Sequence, residues 1–230
     1  VSQEKIDQAK RNISVERLAA IETAYAQIKR FHQAQQFNNI SVETSPGIQC
    51  ELRSEAVESV GLYIPAGSAP LPSTVLMLGV PAQLVNCQRK VLVCPPDRNG
   101  NLADEVLVAA SLCGIDEIYR IGGAQACAAL AYGTQTIKPV NKIFGPGNRY
   151  VTEAKKQLAQ QVNGFAIDMP AGPSEVLVIA DDNANAKFVA ADLLSQAEHG
   201  PDSQVVLVSD SRRQLVAVQQ EIQQQLKQLS

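Results

Sequence analysis

The chain has no tryptophan, 4% aromatic residues and two histidines in 230 residues. A core built with so few large rings is aliphatic and alanine-rich, which suits helices on a parallel sheet better than an aromatic-rich sandwich. No apolar run approaches the roughly 20 residues of a membrane span, so no membrane partner is expected. Neither sign of charge dominates. The 20 Lys and Arg against 23 Asp and Glu leave a net charge of -3, and without a basic cluster nucleic acid is not an expected partner either. The five cysteines are odd in number, and Cys50, Cys87, Cys94, Cys113 and Cys127 include no pair at metal-knuckle spacing. Most sit in apolar runs such as Val91-Leu92-Val93-Cys94. That predicts buried free thiols of a reducing, cytoplasmic protein. No signal peptide is present, yet the chain opens on Val1, so a segment upstream is expected.

What is present is an alternation. Residues 1 to 36 read as helix, with Leu18, Ile21, Tyr25, Ile28 and His32 stepping by three and four along one face. His32 reads as a packed or edge histidine. Ser45-Pro46-Gly47 is turn chemistry, and Ile40-Glu43 and Ile48-Arg53 around it predict a hairpin. Val60-Ile64 is a short strand, and a helix starts near Pro72, with Pro81 expected to kink or end it. Strands then follow at Lys90-Cys94, Glu117-Ile121, Lys142-Phe144, Phe165-Asp168, Glu175-Ala180 and Gln204-Ser209. Helices and glycine-rich turns separate them. Such spacing predicts an α/β protein of two parallel-sheet layers with right-handed crossovers. No Ser/Gly-rich linker marks a boundary, so a second domain is expected as an insertion with short crossings.

Four stretches could carry chemistry. Phe144-Gly145-Pro146-Gly147-Asn148 is a strand-to-helix turn whose glycines let backbone approach a ligand and whose helix start favours an anion. It departs from the dinucleotide fingerprint, because Tyr150 stands where the third glycine belongs, and a plain capped turn is the other reading. Gly122-Gly123-Ala124-Gln125 is a second such turn. Tyr63, Gln125 and Asn148 all fall at the C-terminal edge of predicted strands, where open α/β sheets bind ligands. Asp168-Met169-Pro170-Ala171-Gly172-Pro173-Ser174 is a stiff loop that could present the Ser174 hydroxyl as a hydrogen-bonding group. Gln196 and His199 share one face of a last helical turn that Gly200-Pro201 stops. They could hold a metal ion or a polar substrate. Alternatively, His199 only meets the negative end of the helix dipole while Gln196 is solvated.

Taken together, Val60-Pro65, Ser68-Leu71, Gly122-Ala126, Ile143-Asn148, Ile167-Val178 and Leu194-Ser203 resemble, in order and across nearly the whole chain, the histidinol dehydrogenase family. The resemblance implies NAD-dependent oxidation of L-histidinol to L-histidine through the aldehyde, the last step of histidine biosynthesis, by a cytoplasmic homodimer holding zinc. It implies that Tyr63, Gln125 and Asn148 contact NAD, that Ser174 contacts substrate, and that Gln196 and His199 bind zinc and border the substrate. It assigns no catalytic residue to the chain: the Glu-His pair that supplies the general base is expected beyond Ser230, along with the remaining zinc ligands. The fold it implies is two Rossmann-like parallel-sheet layers with flanking helices, one domain inserted in the other and the outer one incomplete. Residues 1-62 are expected to open the outer domain, 63-173 to form the inserted NAD-binding domain, and 174-230 to return to the outer one. A nucleotide-binding module without its own catalysis is the alternative, and a structural dimerisation piece is a third reading.

Overall fold

The computed structural model describes residues 1–65, 70–170, 174–198 and 203–228. Two helices open the chain, α1 (Gln3–Asn12) and α2 (Val15–Gln33). The single helical run expected over residues 1 to 36 is therefore divided. Ile13 and Ser14 are extended, and the Ser14 hydroxyl accepts a hydrogen bond from the Arg17 N–H at 3.3 Å. A serine competes for backbone donors in this way and starts a new helix. Next comes an antiparallel hairpin, β1 (Ile40–Ser45) and β2 (Ile48–Leu52), exposed along its whole length.

The central sheet is built from β3 (Ser59–Tyr63), β4 (Arg89–Val93), β5 (Glu117–Tyr119), β6 (Lys142–Phe144) and β7 (Ala166–Ile167). All its pairings are parallel and the spatial order is β5-β4-β3-β6-β7. The chain walks outward from β3 to β5, then returns to lay β6 on the other side of β3. This is the Rossmann strand order, and the reversal leaves a crevice beyond the C-terminal ends of β3 and β6.

The helices between the strands are α3 (Pro72–Leu84), α4 (Asp104–Leu112), α5 (Gly123–Tyr132) and α6 (Arg149–Gln161). Alternation along the strands divides the core. Val60, Leu62, Leu92 and Ile118 pack with α3 and α4 on one face, while Tyr63, Val91, Val93 and Ile143 pack with α5 and α6 on the other. Helices α1 and α2 lie on α4 and α3. Tyr25 on α2 donates its hydroxyl proton to Gln83 Oε1 at 2.7 Å, and Gln83 in turn donates to the Leu112 carbonyl at 3.2 Å. Of the two outcomes expected at Pro81, a kink or a stop, the stop does not occur. The helix runs on to Leu84, held by burial of Val75, Leu76, Val80 and Ala82.

The chain divides into two compact units, Val1–Pro170 and Ala171–Ser230. In the second, β8 (Glu175–Ile179) pairs parallel with β9 (Gln204–Val208), and α7 (Ala186–Ala197) packs on α8 (Arg212–Leu226). Its buried apolar cluster is Ala180, Val189, Ala190, Leu193 and Val218, with Val176, Val178 and Leu207 packed against it. The opposite face of this two-stranded sheet is open, leaving Leu177 58% and Ile179 77% exposed. Among the described residues no helix is long and apolar enough to cross a membrane.

Candidate functional site

Four loops converge at the C-terminal edge of the central sheet, and Tyr63 joins them. It ends β3 and is buried, 3% exposed. Its hydroxyl oxygen accepts the Gly123 N–H at 3.0 Å. Burial raises the phenol above its usual pKa, with the Gly123 N–H partly opposing that shift. The hydroxyl therefore stays protonated and keeps a proton to donate. On its other side the Tyr63 carbonyl lies hard against Gly145, where an added Cβ would sit 2.1 Å from the oxygen. Gly145 has φ of +124°, so both the space and the backbone angle demand glycine. Gly122 approaches Pro95, at the end of β4, just as closely.

Gln125 and Asn148 are both exposed at this edge. Gln125 stands in the first turn of α5, its amide folded toward Gly123. That helix starts at Gly122 with no side-chain cap and no acidic residue in its first turn. The Gly123 N–H is taken by Tyr63, so the N–H groups that follow it, with the positive dipole end, can meet an anionic ligand. Asn148 is the N-cap of α6, its Oδ1 accepting the N–H groups of Tyr150 and Val151 at 3.1 Å each. The cap engages the amide oxygen and leaves the amide nitrogen as the group that could meet a ligand. The structure thus brings Tyr63, Gln125 and Asn148 to the one edge where strand order predicts a nucleotide site. Part of the loop after β3, residues 66–69, lies outside the described residues.

The same edge holds a pair that the sequence reading passed over. Lys155 on α6 is 3% exposed, yet it carries an ammonium. It donates to the Gly145 carbonyl at 2.9 Å and forms an ion pair with Asp168, just past β7. Asp168 Oδ2 accepts the Gly145 N–H at 2.8 Å. The signal was in the sequence: Lys155 occupies a core position of α6 between Val151 and Leu158, four before and three after. A lysine there needs a buried partner.

The other candidates lie in the second unit. Gln196, near the end of α7, is half-buried and donates from Nε2 to the Ser174 carbonyl at 3.2 Å, with a longer contact to Ser203 Oγ at 3.5 Å. This ties α7 to the starts of β8 and β9 and commits the amide nitrogen, so the amide oxygen is the atom suited to a cation. Ser174 itself is exposed. His199, the second residue of the expected metal pair, lies outside the described residues, as do Gly200 and Pro201. Among the described residues no group of three or more His, Cys, Asp or Glu is arranged to hold a metal.

Comparison with known proteins gives this edge its context. A model of the histidinol dehydrogenase family matches residues 1–230. The chain belongs to the histidinol dehydrogenase family. It is 72% identical to the histidinol dehydrogenase of Colwellia psychrerythraea, and 58% identical to that of Vibrio vulnificus, over 230 residues in each case. All of the chain is covered, against 53% and 52% of those relatives. The crystal structure of histidinol dehydrogenase from Elizabethkingia anophelis superposes with a TM-score of 0.91 at 51% identity, covering 100% of this chain and 52% of that one. The chain thus spans about half the length of the histidinol dehydrogenases it matches.

Proposed function

We propose that these residues form the dinucleotide-binding part and one portion of the metal and substrate site of a cytoplasmic, homodimeric histidinol dehydrogenase, which oxidises L-histidinol to L-histidine. The observation that carries this reading is the meeting of Tyr63, Gln125 and Asn148 at the switch point of a Rossmann-ordered sheet, in a chain matched end to end by the family. The donor set suits NAD. The first turn of α5, beyond the Gly123 N–H that Tyr63 holds, would offer N–H groups to the pyrophosphate, while Gln125 and Asn148 would offer amides and Tyr63 a protonated hydroxyl. Gln196 suits zinc through an amide oxygen, with its nitrogen already engaged by Ser174. On this reading His199 is the second zinc ligand, and Ser174 and Gln196 border the substrate.

When bound, NAD accepts a hydride and zinc holds the substrate's polar groups. The work of this chain is to fix the cofactor at the sheet edge and to orient the amide of Gln196. By the family resemblance the general base is not among these residues, and a positioned base contributes roughly 10²–10⁴-fold. The 230-residue polypeptide alone is therefore expected to be inactive.

We also read residues 174–230 and the segment ahead of β3 as parts of an outer domain, with the inserted NAD-binding domain running from β3 to residue 173; the boundary expected between residues 62 and 63 moves to before Ser59, because β3 is the central strand of the inserted sheet. The open apolar face of β8 and β9 and the exposed β1–β2 hairpin support that reading, and the packing of α1 and α2 on α4 and α3 would then be a contact between domains.

The test uses two samples, the 230-residue polypeptide and the full-length protein. Calorimetric titration with NAD should give saturable binding to both, weakened in each by Gln125→Ala. Only the full-length protein should form NADH with L-histidinol. Failure of either sample to bind NAD would overturn the cofactor reading, and NADH formed by the shorter polypeptide would mean that it carries the base.

A further inference from the structure

We infer that buried Lys155 and its partly exposed partner Asp168 position the cofactor loop, holding the Gly145–Asn148 turn in its binding conformation; this rests on reading the sheet edge as the dinucleotide site. The two side chains grip both backbone polar groups of one residue. Asp168 takes the Gly145 N–H at 2.8 Å and Lys155 donates to the Gly145 carbonyl at 2.9 Å, while the two charges close on each other. Three elements meet in that grip: Gly145 follows β6, Lys155 lies on α6 and Asp168 follows β7. The Asp168 N–H also extends the β6–β7 ladder to the Ile143 carbonyl at 3.1 Å, which fixes where its carboxylate stands.

Stability alone is a poor reason for this arrangement. An ion pair whose side chains are 4% and 25% exposed sacrifices hydration, above all at the lysine, and well-packed apolar residues of similar volume often fold a protein equally well. Apolar residues, however, could not hold the two backbone groups of a glycine at φ of +124° pressed against Tyr63. Three residues further on, Asn148 begins α6 and directs its amide from the edge. A turn free to pivot at Gly145 would move Asn148 with it, and NAD would then have to select the minority of molecules with the turn in place. The pair thus acts on cofactor affinity through Gly145 and Asn148 without touching the cofactor.

The experiment uses the full-length enzyme and compares Lys155→Met, Asp168→Asn and Lys155→Arg with the parent protein. If about one molecule in ten keeps the turn formed without the pair, the apparent Kd and KM for NAD rise about tenfold. KM for L-histidinol should stay within about twofold, and Lys155→Arg should recover part of the loss, since a guanidinium can still pair with Asp168. A merely structural pair would instead lower the melting temperature and the active fraction while leaving both KM values unchanged. That result, or a parallel rise in both KM values, would overturn the inference. Asp168→Asn keeps an acceptor for Gly145 and near-identical volume, so it reports if Lys155→Met does not fold. Asn148→Ser, which preserves an N-cap but removes the amide, separates the two ideas. If Asn148→Ser raises KM for NAD and the pair variants do not, the positioning role fails and the site stands. If none of them does, the site itself is misassigned.

Discussion

At the scale of single residues, the aliphatic packing that builds the sheet faces also seals the thiols. Cys87, Cys94, Cys113 and Cys127 are buried and only Cys50, on the open hairpin, is exposed. Burial pushes Cys94 and Cys127 up to about 11 and Cys113 to about 12, from an ordinary value of 9.0. A thiol whose pKa is raised by folding keeps its proton in the native state where the unfolded chain has lost it. Its contribution to stability is whole below pH 9.0 and is lost as pH rises toward 11 to 12. Urea midpoints measured across that window should therefore fall, and fall less steeply in a Cys94→Ala, Cys113→Ala, Cys127→Ala variant. Equal slopes would mean that other groups carry the alkaline loss. An aromatic disulfide reagent should titrate Cys50 alone before unfolding. The buried thiols were legible from their apolar neighbours in sequence, and so was the placing of Tyr63, Gln125 and Asn148 at strand ends. Of the Lys155–Asp168 pair only the core position of the lysine was legible; its partner was not, because that depends on β6 and β7 lying side by side, which no local pattern reveals.

At the scale of elements, the strands were legible because each is a short apolar run between Gly, Pro or Asn. Their spatial order was not, since pairing across β3 is decided by which helix covers which face. One helix reading failed and another was narrowed, each for a definite reason. Ser14 caps a new helix just ahead of the apolar stripe, and Pro81 sits inside α3 despite lacking an N–H for the Met77 carbonyl. Proline in a helix interior costs about 3 kcal/mol relative to alanine, offset in part by the entropy it removes from the unfolded chain and by the contacts of its ring. Pro81→Ala is accordingly expected to stabilise the protein by about 1 kcal/mol, the residue of those opposing effects. Equilibrium denaturation with an unchanged m-value would register the gain. A loss of similar size would show that the ring's contacts on α3 outweigh the missing hydrogen bond.

At the scale of the molecule, the two units differ in what they bury. Val1–Pro170 contains the five-stranded sheet, with an apolar cluster on each face. Among its described residues, Ala171–Ser230 contains two strands and two helices around five buried apolar residues, with Leu177 and Ile179 in water on the other side of its sheet. A unit of about 60 residues buries only about 60% of its unfolded surface, against about 70% for one near 150, so the smaller has less with which to offset its chain entropy. Two strands with one covered face are also short of what an independent sheet needs. In the 230-residue polypeptide, amides of β8, β9, α7 and α8 should therefore exchange with solvent through openings of lower free energy than those of β3, β4 and β6. Exchange followed by mass spectrometry over a urea series would separate the two groups, the smaller unit losing protection first. A single free energy shared by all these amides would mean that the chain opens only as a whole, with the second unit's stability set by coupling and not by its own core.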